Sequence, residues 1–212
     1  MYLSVTQCIL GCTLLFYGAR CAQLEEENVT GGSVVKLYNK GQRVRLHSHD
    51  IKYGSGSGQQ SVTGMNSETD ANSYWQVRSP SDTHIPRGEA IKCGQAVRLT
   101  HIQTSCNLHS HHVSSPLSHE QEVSCYGEEG EGDHLDDWIV ICSGKTWKRD
   151  QYVRFKHRET SAYLACSGQS YGRPIHGQKE IMSSTSDSSG QGKYWKSVEG
   201  VYIKPSENMG TK

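Results

Sequence analysis

The sequence predicts an all-β protein in which three similar units close into one β-trefoil. Three copies of one pattern fill most of the chain, and their first apolar anchors are Leu37, Leu99 and Phe155. A second apolar anchor follows nine residues later in every copy, at Leu46, Leu108 and Leu164. The third anchors are Val62, Val123 and Ile181, and the closing residues are Trp75, Trp138 and Trp195. Because one repeat of this size cannot bury its own apolar face, the copies predict a shared core.

The local pattern inside each copy is that of short strands. Val97-Arg98-Leu99-Thr100 and Val153-Arg154-Phe155-Lys156 alternate apolar and polar residues, which places one face on a core and the other in water. Turn-forming residues separate the runs, as at 54–58 and 114–116. Each copy is therefore expected to supply two barrel strands and one hairpin of the cap.

Composition favours a single domain that does not bind nucleic acid. The chain has 212 residues, 34% of them hydrophobic, and a formal net charge of zero. A low apolar content suits a narrow barrel with many polar loops. Nucleic-acid binding needs concentrated Lys and Arg, and no basic patch stands out here.

The first part of the chain reads as a targeting segment. Residues 1–21 have the length and apolar run of a secretory signal peptide, and no other segment is long and apolar enough to span a membrane. Cleavage is expected after Cys21, with Ala22 as the second choice and an uncleaved anchor as the alternative. Residues 22–31 form a short acidic leader that we expect to be solvated. This leader contains a glycosylation sequon at Asn28-Val29-Thr30, so Asn28 is a candidate modification site.

Five cysteines remain after the signal peptide, so at least one is unpaired within the chain. The first and last strands of one trefoil unit are neighbours, which makes Cys93–Cys142 the most natural bridge. A second bridge, Cys106–Cys125, is expected if Leu108 opposes Val123 in the hairpin. Cys166 would then be the free thiol. Buried reduced cysteines are the alternative.

Several segments resemble the MIR motif, which is named for protein mannosyltransferases, inositol trisphosphate receptors and ryanodine receptors. They are Leu-His-Ser-His at 108–111, Ser-Pro-Leu-Ser at 115–118, Gln-Glu-Val-Ser at 121–124 and Asp-Trp at 137–138. Residues 45–50, 53–64, 127–133 and 171–175 are similar to the stromal cell-derived factor 2 family. The resemblance implies a single trefoil over residues 32–205, with MIR repeats at about 32–79, 93–142 and 150–203 and a C-terminal tail at 206–212.

The resemblance also implies a function and a compartment. Members of the family act in protein quality control in the lumen of the endoplasmic reticulum, with a J-domain co-chaperone and, through it, the luminal chaperone BiP. Unfolded client proteins would be the ligands. The chain ends Asn-Met-Gly-Thr-Lys at 208–212, which is not a retrieval signal. We therefore expect that partners retain the protein in the lumen or, where they do not, that it is partly secreted.

Histidines are the most conspicuous candidate site residues. His47 and His49 occupy the same positions of the first copy as His109 and His111 in the second, and each pair would face one side of a strand. The third copy reads Leu-Ala-Cys-Ser at 164–167 instead, so a threefold metal site is broken. We expect no metal and no other cofactor.

A second interpretation is a lectin-like module that binds glycans or O-mannosyl peptides. Tyr53, Tyr126 and Tyr171 lie near the predicted hairpins and could form aromatic platforms. Catalysis is not expected, because the chain shows no nucleophile elbow, Gly-rich phosphate loop or HExxH sequence. The resemblance points the same way, since the MIR region of the mannosyltransferases is an accessory domain.

Overall fold

The computed structural model describes residues 27–186 and 190–205 of the chain. The predicted signal peptide, most of the leader and the C-terminal tail lie outside the described residues. Twelve strands make up the fold: β1 Val34–Asn39, β2 Arg45–Lys52, β3 Gln60–Met65, β4 Trp75–Arg78, β5 Ala96–His101, β6 Asn107–Ser114, β7 Gln121–Tyr126, β8 Trp138–Ile141, β9 Arg154–His157, β10 Tyr163–Ser170, β11 Lys179–Ser184 and β12 Trp195–Val201. Within the described ranges, no helix is long and apolar enough to cross a membrane.

The strands fall into three units of four, which confirms the β-trefoil prediction. Neighbouring units are joined by the last strand of one and the first strand of the next. Trp75 on β4 pairs with His101 on β5, Trp138 on β8 with His157 on β9, and Trp195 on β12 with Asn39 on β1. The last of these pairings closes the ring of units. The remaining strands form three hairpins, β2–β3, β6–β7 and β10–β11.

The core consists of the repeated anchors. All nine aliphatic and phenyl anchors predicted from the repeats are fully buried, as are the three closing tryptophans. Each indole Nε1 donates a hydrogen bond to the carbonyl of the second anchor in its own unit. The donor–acceptor distances are 2.9 Å for Trp75–Leu46, 2.8 Å for Trp138–Leu108 and 2.9 Å for Trp195–Leu164. The anchors therefore serve both packing and the satisfaction of buried polar groups.

The three hairpins cap one end of the barrel by pairing with one another. β3 pairs with β7, β7 with β11 and β11 with β3. Two fully buried carboxylates hold the hairpin loops in place. Glu180 on β11 accepts hydrogen bonds from the backbone amides of Leu117 and Ser118, at 2.8 Å and 3.1 Å. Glu122 on β7 accepts one from the amide of Ser57 at 3.3 Å and one from its hydroxyl.

The fold begins earlier than the sequence predicts. Residues 28–31 were assigned to a solvated leader, but Val29 is fully buried and its amide donates to the carbonyl of Trp147 at 2.8 Å. Ile91 in turn donates to the carbonyl of Val29 at 3.0 Å. The boundary was wrong because the charged residues before Asn28 masked a single apolar residue that completes the core.

Two disulfides are present, Cys93–Cys142 and Cys106–Cys125, and Cys166 is a buried free thiol. The first joins chain segments on either side of the paired residues Val97 and Trp138. Burial raises the pKa of Cys166 to about 11. The thiol is therefore protonated at neutral pH.

The register expected for the second hairpin was wrong by two residues. Leu108 faces Cys125, and Val123 faces Ser110. A bulge between Ser110 and Ser114 places extra residues on β6, which breaks a constant residue sum across the hairpin. A shift of two residues keeps each side chain on its face, so Cys106 can still reach Cys125.

Candidate functional site

The first unit joins its two histidines to an aspartate. His47 Nδ1 lies 2.7 Å from Asp70 Oδ2, and His47 Nε2 lies 2.8 Å from His49 Nδ1. His49 Nε2 lies 3.2 Å from the hydroxyl of Ser61, and Ser73 donates to Asp70 at 2.5 Å. The side chains therefore form one continuous chain of hydrogen bonds beneath the hairpin.

The surroundings shift the pKa values of two side chains in this series of hydrogen bonds. Burial lowers the pKa of His49, and the neighbouring His47 lowers it further. Burial opposes ionisation of Asp70, but hydrogen bonds from Ser73 and His47 outweigh it, and the pKa of Asp70 is lowered. The arrangement favours an ionised Asp70 that orients His47.

A serine, two histidines and an aspartate in series resemble a catalytic relay, but the serine is not placed to act as a nucleophile. Ser61 is fully buried, and its hydroxyl donates to the carbonyl of Ile51 at 2.7 Å. A nucleophile must reach a substrate and hand its proton to the base. Here the hydroxyl proton is directed to the backbone, so the chain of bonds holds the hairpin together.

The second unit repeats the histidine pair with different acidic partners. His109 Nδ1 lies 2.9 Å from Asp136 Oδ1 and 3.8 Å from Asp133 Oδ1. His111 Nε2 lies 3.1 Å from Glu122 Oε1. The two imidazole rings meet edge to face, 5.1 Å apart. Both histidines are therefore partnered within the protein.

His109, Asp133 and Asp136 have ligand-type atoms within 4.8 Å of one another. Their contacts are accounted for without an ion. Asp136 accepts from the amide of Asp133 at 2.9 Å and from Asn107 Nδ2 at 3.2 Å, in addition to its bond with His109. The cluster is part of the helix-capping arrangement around residues 133–136. The absence of a bound metal stays a prediction.

The third unit lacks the histidine pair, as the sequence indicated. The β10–β11 register places Ala165 and Ser167 where the other units carry their histidines. Lys193 stands at the position of Asp136. The histidine pair consequently occurs in two of the three hairpins.

Two of the three tyrosines proposed as aromatic platforms are not on the surface, and that part of the expectation was wrong. Tyr53 and Tyr171 are buried and pack with Ile175 and Leu117 at the centre of the cap. The hydroxyl of Tyr53 lies 2.9 Å from the carbonyls of both Val62 and Val123. These side chains seal the gap between the hairpins. Only Tyr126 of the three is exposed.

Two further histidines support the junctions between units. The His101 ring packs at a tilt against Trp75, with ring centres 4.9 Å apart, and bonds the carbonyl of Asn72 at 2.9 Å. The His157 ring packs at a tilt against Trp138, with ring centres 4.9 Å apart, and bonds the carbonyl of Leu135 at 2.8 Å. Burial lowers the pKa of His101 to about 4 and lowers the pKa of His157. Both are neutral structural groups at neutral pH.

The equivalent junction residue of the first unit is Asn39, whose Nδ2 donates to the carbonyl of Gly192 at 2.7 Å. An amide thus replaces an imidazole at the same point of the fold.

The candidate glycosylation residue lies at the rim of the barrel. Asn28 is partly buried, and its Oδ1 accepts a hydrogen bond from Thr146 at 2.7 Å. The sequon hydroxyl of Thr30 is buried and donates to the carbonyl of Ile203 at 2.6 Å. In the folded chain, the side chains of Asn28 and Thr30 are therefore both engaged in hydrogen bonds.

The three-unit barrel and its repeated Leu-His-Ser-His segments define a MIR-domain protein, and the family model described as the MIR domain matches residues 29–142. The human protein stromal cell-derived factor 2 is 60% identical over 179 residues, which cover 84% of each chain. The chain belongs to the stromal cell-derived factor 2 family.

Solved structures agree with this assignment. The SDF2-like protein from Arabidopsis thaliana is 44% identical, with a TM-score of 0.81, and the match covers 85% of this chain and 99% of that one. The Saccharomyces cerevisiae protein O-mannosyltransferase Pmt1-Pmt2 complex, bound to the sugar donor, is 30% identical, with a TM-score of 0.73. That match covers 88% of this chain and 27% of the yeast chain.

Proposed function

We propose that this protein is a non-catalytic binding component of protein quality control in the endoplasmic reticulum lumen. Its partners are a luminal J-domain co-chaperone and, through it, BiP, and its ligands are unfolded clients. The observation that carries the proposal is the likeness to stromal cell-derived factor 2, which extends over most of both chains.

The proposed compartment is supported by the cysteines. Disulfides persist in oxidising compartments and are rare where thiols are kept reduced. Four of the five cysteines in the described part of the chain are paired. The pairing suits a protein that folds in the secretory pathway.

The proposed absence of catalysis is supported by the way the polar groups are used. The histidine–carboxylate pairs lie beneath the hairpins, and Ser61, the serine next to His49, donates to a backbone carbonyl. Polar side chains committed to structure are not poised for proton transfer to a substrate.

Affinity capture from cells tests the proposal. The tagged protein is expected to retain the luminal J-domain co-chaperone directly and BiP only when that co-chaperone is present. Recovery of neither partner with the correctly folded protein would contradict the proposal.

A second candidate function is glycan or O-mannosyl-peptide binding. It is favoured by the likeness to the yeast protein O-mannosyltransferase complex, whose structure holds a sugar donor. A glycan array tests it directly. Selective binding to one class of glycan supports this function, and a blank array with folded protein rejects it.

A further inference from the structure

A groove of about 560 Å³ lies where the first hairpin meets the second unit. Gln59 and Gln60 line it on one side and Tyr126 on the other. The disulfide partners Cys106 and Cys125 also line the groove and tie the strands behind it together. The walls therefore come from two different units and are held by covalent and hydrogen bonds.

The aromatic wall is held in one orientation. Tyr126 is 40% exposed, and its ring centre lies 4.8 Å from that of His109. His109 is itself buried and bonded to Asp136. A tyrosine supported from behind offers a flat apolar face at little cost in side-chain entropy.

The two amides are also oriented. Gln59 Oε1 accepts from the hydroxyl of Ser124 at 2.5 Å, which leaves its Nε2 without a partner among the described residues. Gln60 Nε2 donates to Ser48 and to Thr104, both at 2.8 Å, which leaves its Oε1 without a partner in the same part of the chain. The lining of the groove thus includes one amide donor, on Gln59, and one amide acceptor, on Gln60, that are not used by the described residues.

The charges at the rim are balanced. Lys52 and Glu128 line the groove and carry opposite charges. Neither forms an ion pair with another described residue. A neutral ligand suits this setting better than an anion or a cation.

We infer that this groove is a binding site for a neutral saccharide, whose ring stacks on Tyr126 while adjacent hydroxyls bond Gln59 and Gln60. A pyranose has an apolar face and a rim of hydroxyls, each of which can both donate and accept. The inference rests on the second candidate function and names its site. An oriented aromatic face with a few placed polar groups is the usual composition of a small-ligand pocket.

Among the residues that the structure describes, the site occurs once. The hairpin registers place Met65 and Ser184 at the positions equivalent to Tyr126 in the first and third units. Glu120 stands where Gln59 stands in the first unit. The other unit junctions in the described part of the chain therefore lack the aromatic face, and a single saccharide is expected to bind each chain.

Ligand-observed NMR titrations with methyl α-mannoside, methyl α-glucoside and a mannose oligosaccharide test the site. Wild-type protein is expected to bind at least one probe, and Tyr126→Ala should weaken that binding by about tenfold or more. Gln59→Ala should weaken it as well, whereas Tyr126→Phe should retain it. Tyr152→Ala, which removes a tyrosine remote from the groove, is the control and should bind normally. Thermal melts establish that each variant is folded.

The possible results distinguish an error in the location of the binding site from an error in the proposed glycan binding. Binding that survives both Tyr126→Ala and Gln59→Ala overturns the groove as the site but leaves glycan binding intact. If folded wild-type protein binds none of the probes and the glycan array is also blank, the inference that the groove binds a saccharide is overturned. If a reduced, unfolded polypeptide binds and Tyr126→Ala abolishes that binding while no saccharide binds, the groove is a polypeptide site and the inference is overturned.

Discussion

Cys106 is bonded to Cys125 although Cys125 faces Leu108 across the hairpin. Cys106 lies just before β6 begins at Asn107, so it can bend toward the partner strand. The Cα atoms of the two cysteines are 5.4 Å apart, within the usual range for a disulfide. The bridge therefore ties the base of the hairpin to the turn that leads into it.

Peptide mapping without reduction should recover both bridges. We expect Cys93 linked to Cys142, Cys106 linked to Cys125, and Cys166 modified by an alkylating reagent only after unfolding, because it is buried. The double variant Cys106→Ala/Cys125→Ala should unfold at lower urea concentration, with a loss of about 2–4 kcal/mol. Recovery of Cys106 and Cys125 as separately alkylated peptides from native protein would refute the bridge.

The second apolar anchors, Leu46, Leu108 and Leu164, should contribute to the stability of the core. Leu108→Ala should lower the free energy of unfolding by about 2–5 kcal/mol, because the fully buried side chain leaves a cavity. Val201→Ala is the control, since Val201 is 65% exposed, and should change it by less than about 0.5 kcal/mol. Equal effects of the two substitutions in urea denaturation would show that Leu108 is not part of the core.

Stability should fall with pH through the buried histidines. The pKa of His101 is about 4 in the folded chain against 6.5 for an exposed imidazole, so the unfolded state binds more protons between these values. Stability is therefore complete above about pH 6.5 and is lost as the pH falls toward 4. The lowered pKa of His157 acts in the same direction.

The first unit suggests the matched variant for this test. Asn39 fills the equivalent position and donates to the equivalent carbonyl, so His101→Asn should fold. Melting temperatures measured from pH 7 to pH 4 should fall less steeply for His101→Asn than for wild type. Parallel curves for the two proteins would mean that His101 does not contribute to the acid sensitivity.

The buried carboxylate Glu180 should protect one hairpin loop. Glu180→Ala removes the acceptor for the amides of Leu117 and Ser118, which should lower the free energy of unfolding by about 1–3 kcal/mol, because two partly buried hydrogen bonds to a carboxylate are lost. Hydrogen exchange at these two amides is expected to accelerate in Glu180→Ala and not in the surface control Glu159→Ala. Unchanged exchange would show that the loop is held by other contacts.

The repeated positions of the fold could be predicted from the sequence, and the unrepeated ones could not. Leu108 and Trp138 recur at matched spacing in all three units, so their burial follows from the pattern. Asp70 and Asp136 both bond a histidine, yet they stand at different distances before their tryptophans, so no spacing pairs them. The loops bring these aspartates to their histidines. The path of a loop depends on long-range packing, which a local sequence pattern does not encode.

Two errors have different origins. The expected pairing of Leu108 with Val123 assumed one constant residue sum across the hairpin, whereas the hairpin pairs Leu108 with Cys125 and carries a bulge between Ser110 and Ser114. Tyr53 was expected on the surface because it lies near a hairpin tip, but the three hairpins meet and bury it. Contacts between hairpins of different units were not visible in any one repeat.

The most direct test of the proposed function is binding between purified components. This protein and the luminal J-domain co-chaperone, each folded and disulfide-bonded, are mixed and analysed by size-exclusion chromatography with light scattering. We expect a complex that elutes earlier than either protein alone and that recruits BiP in the presence of ATP. Separate elution of the two folded proteins at every concentration tested would contradict it.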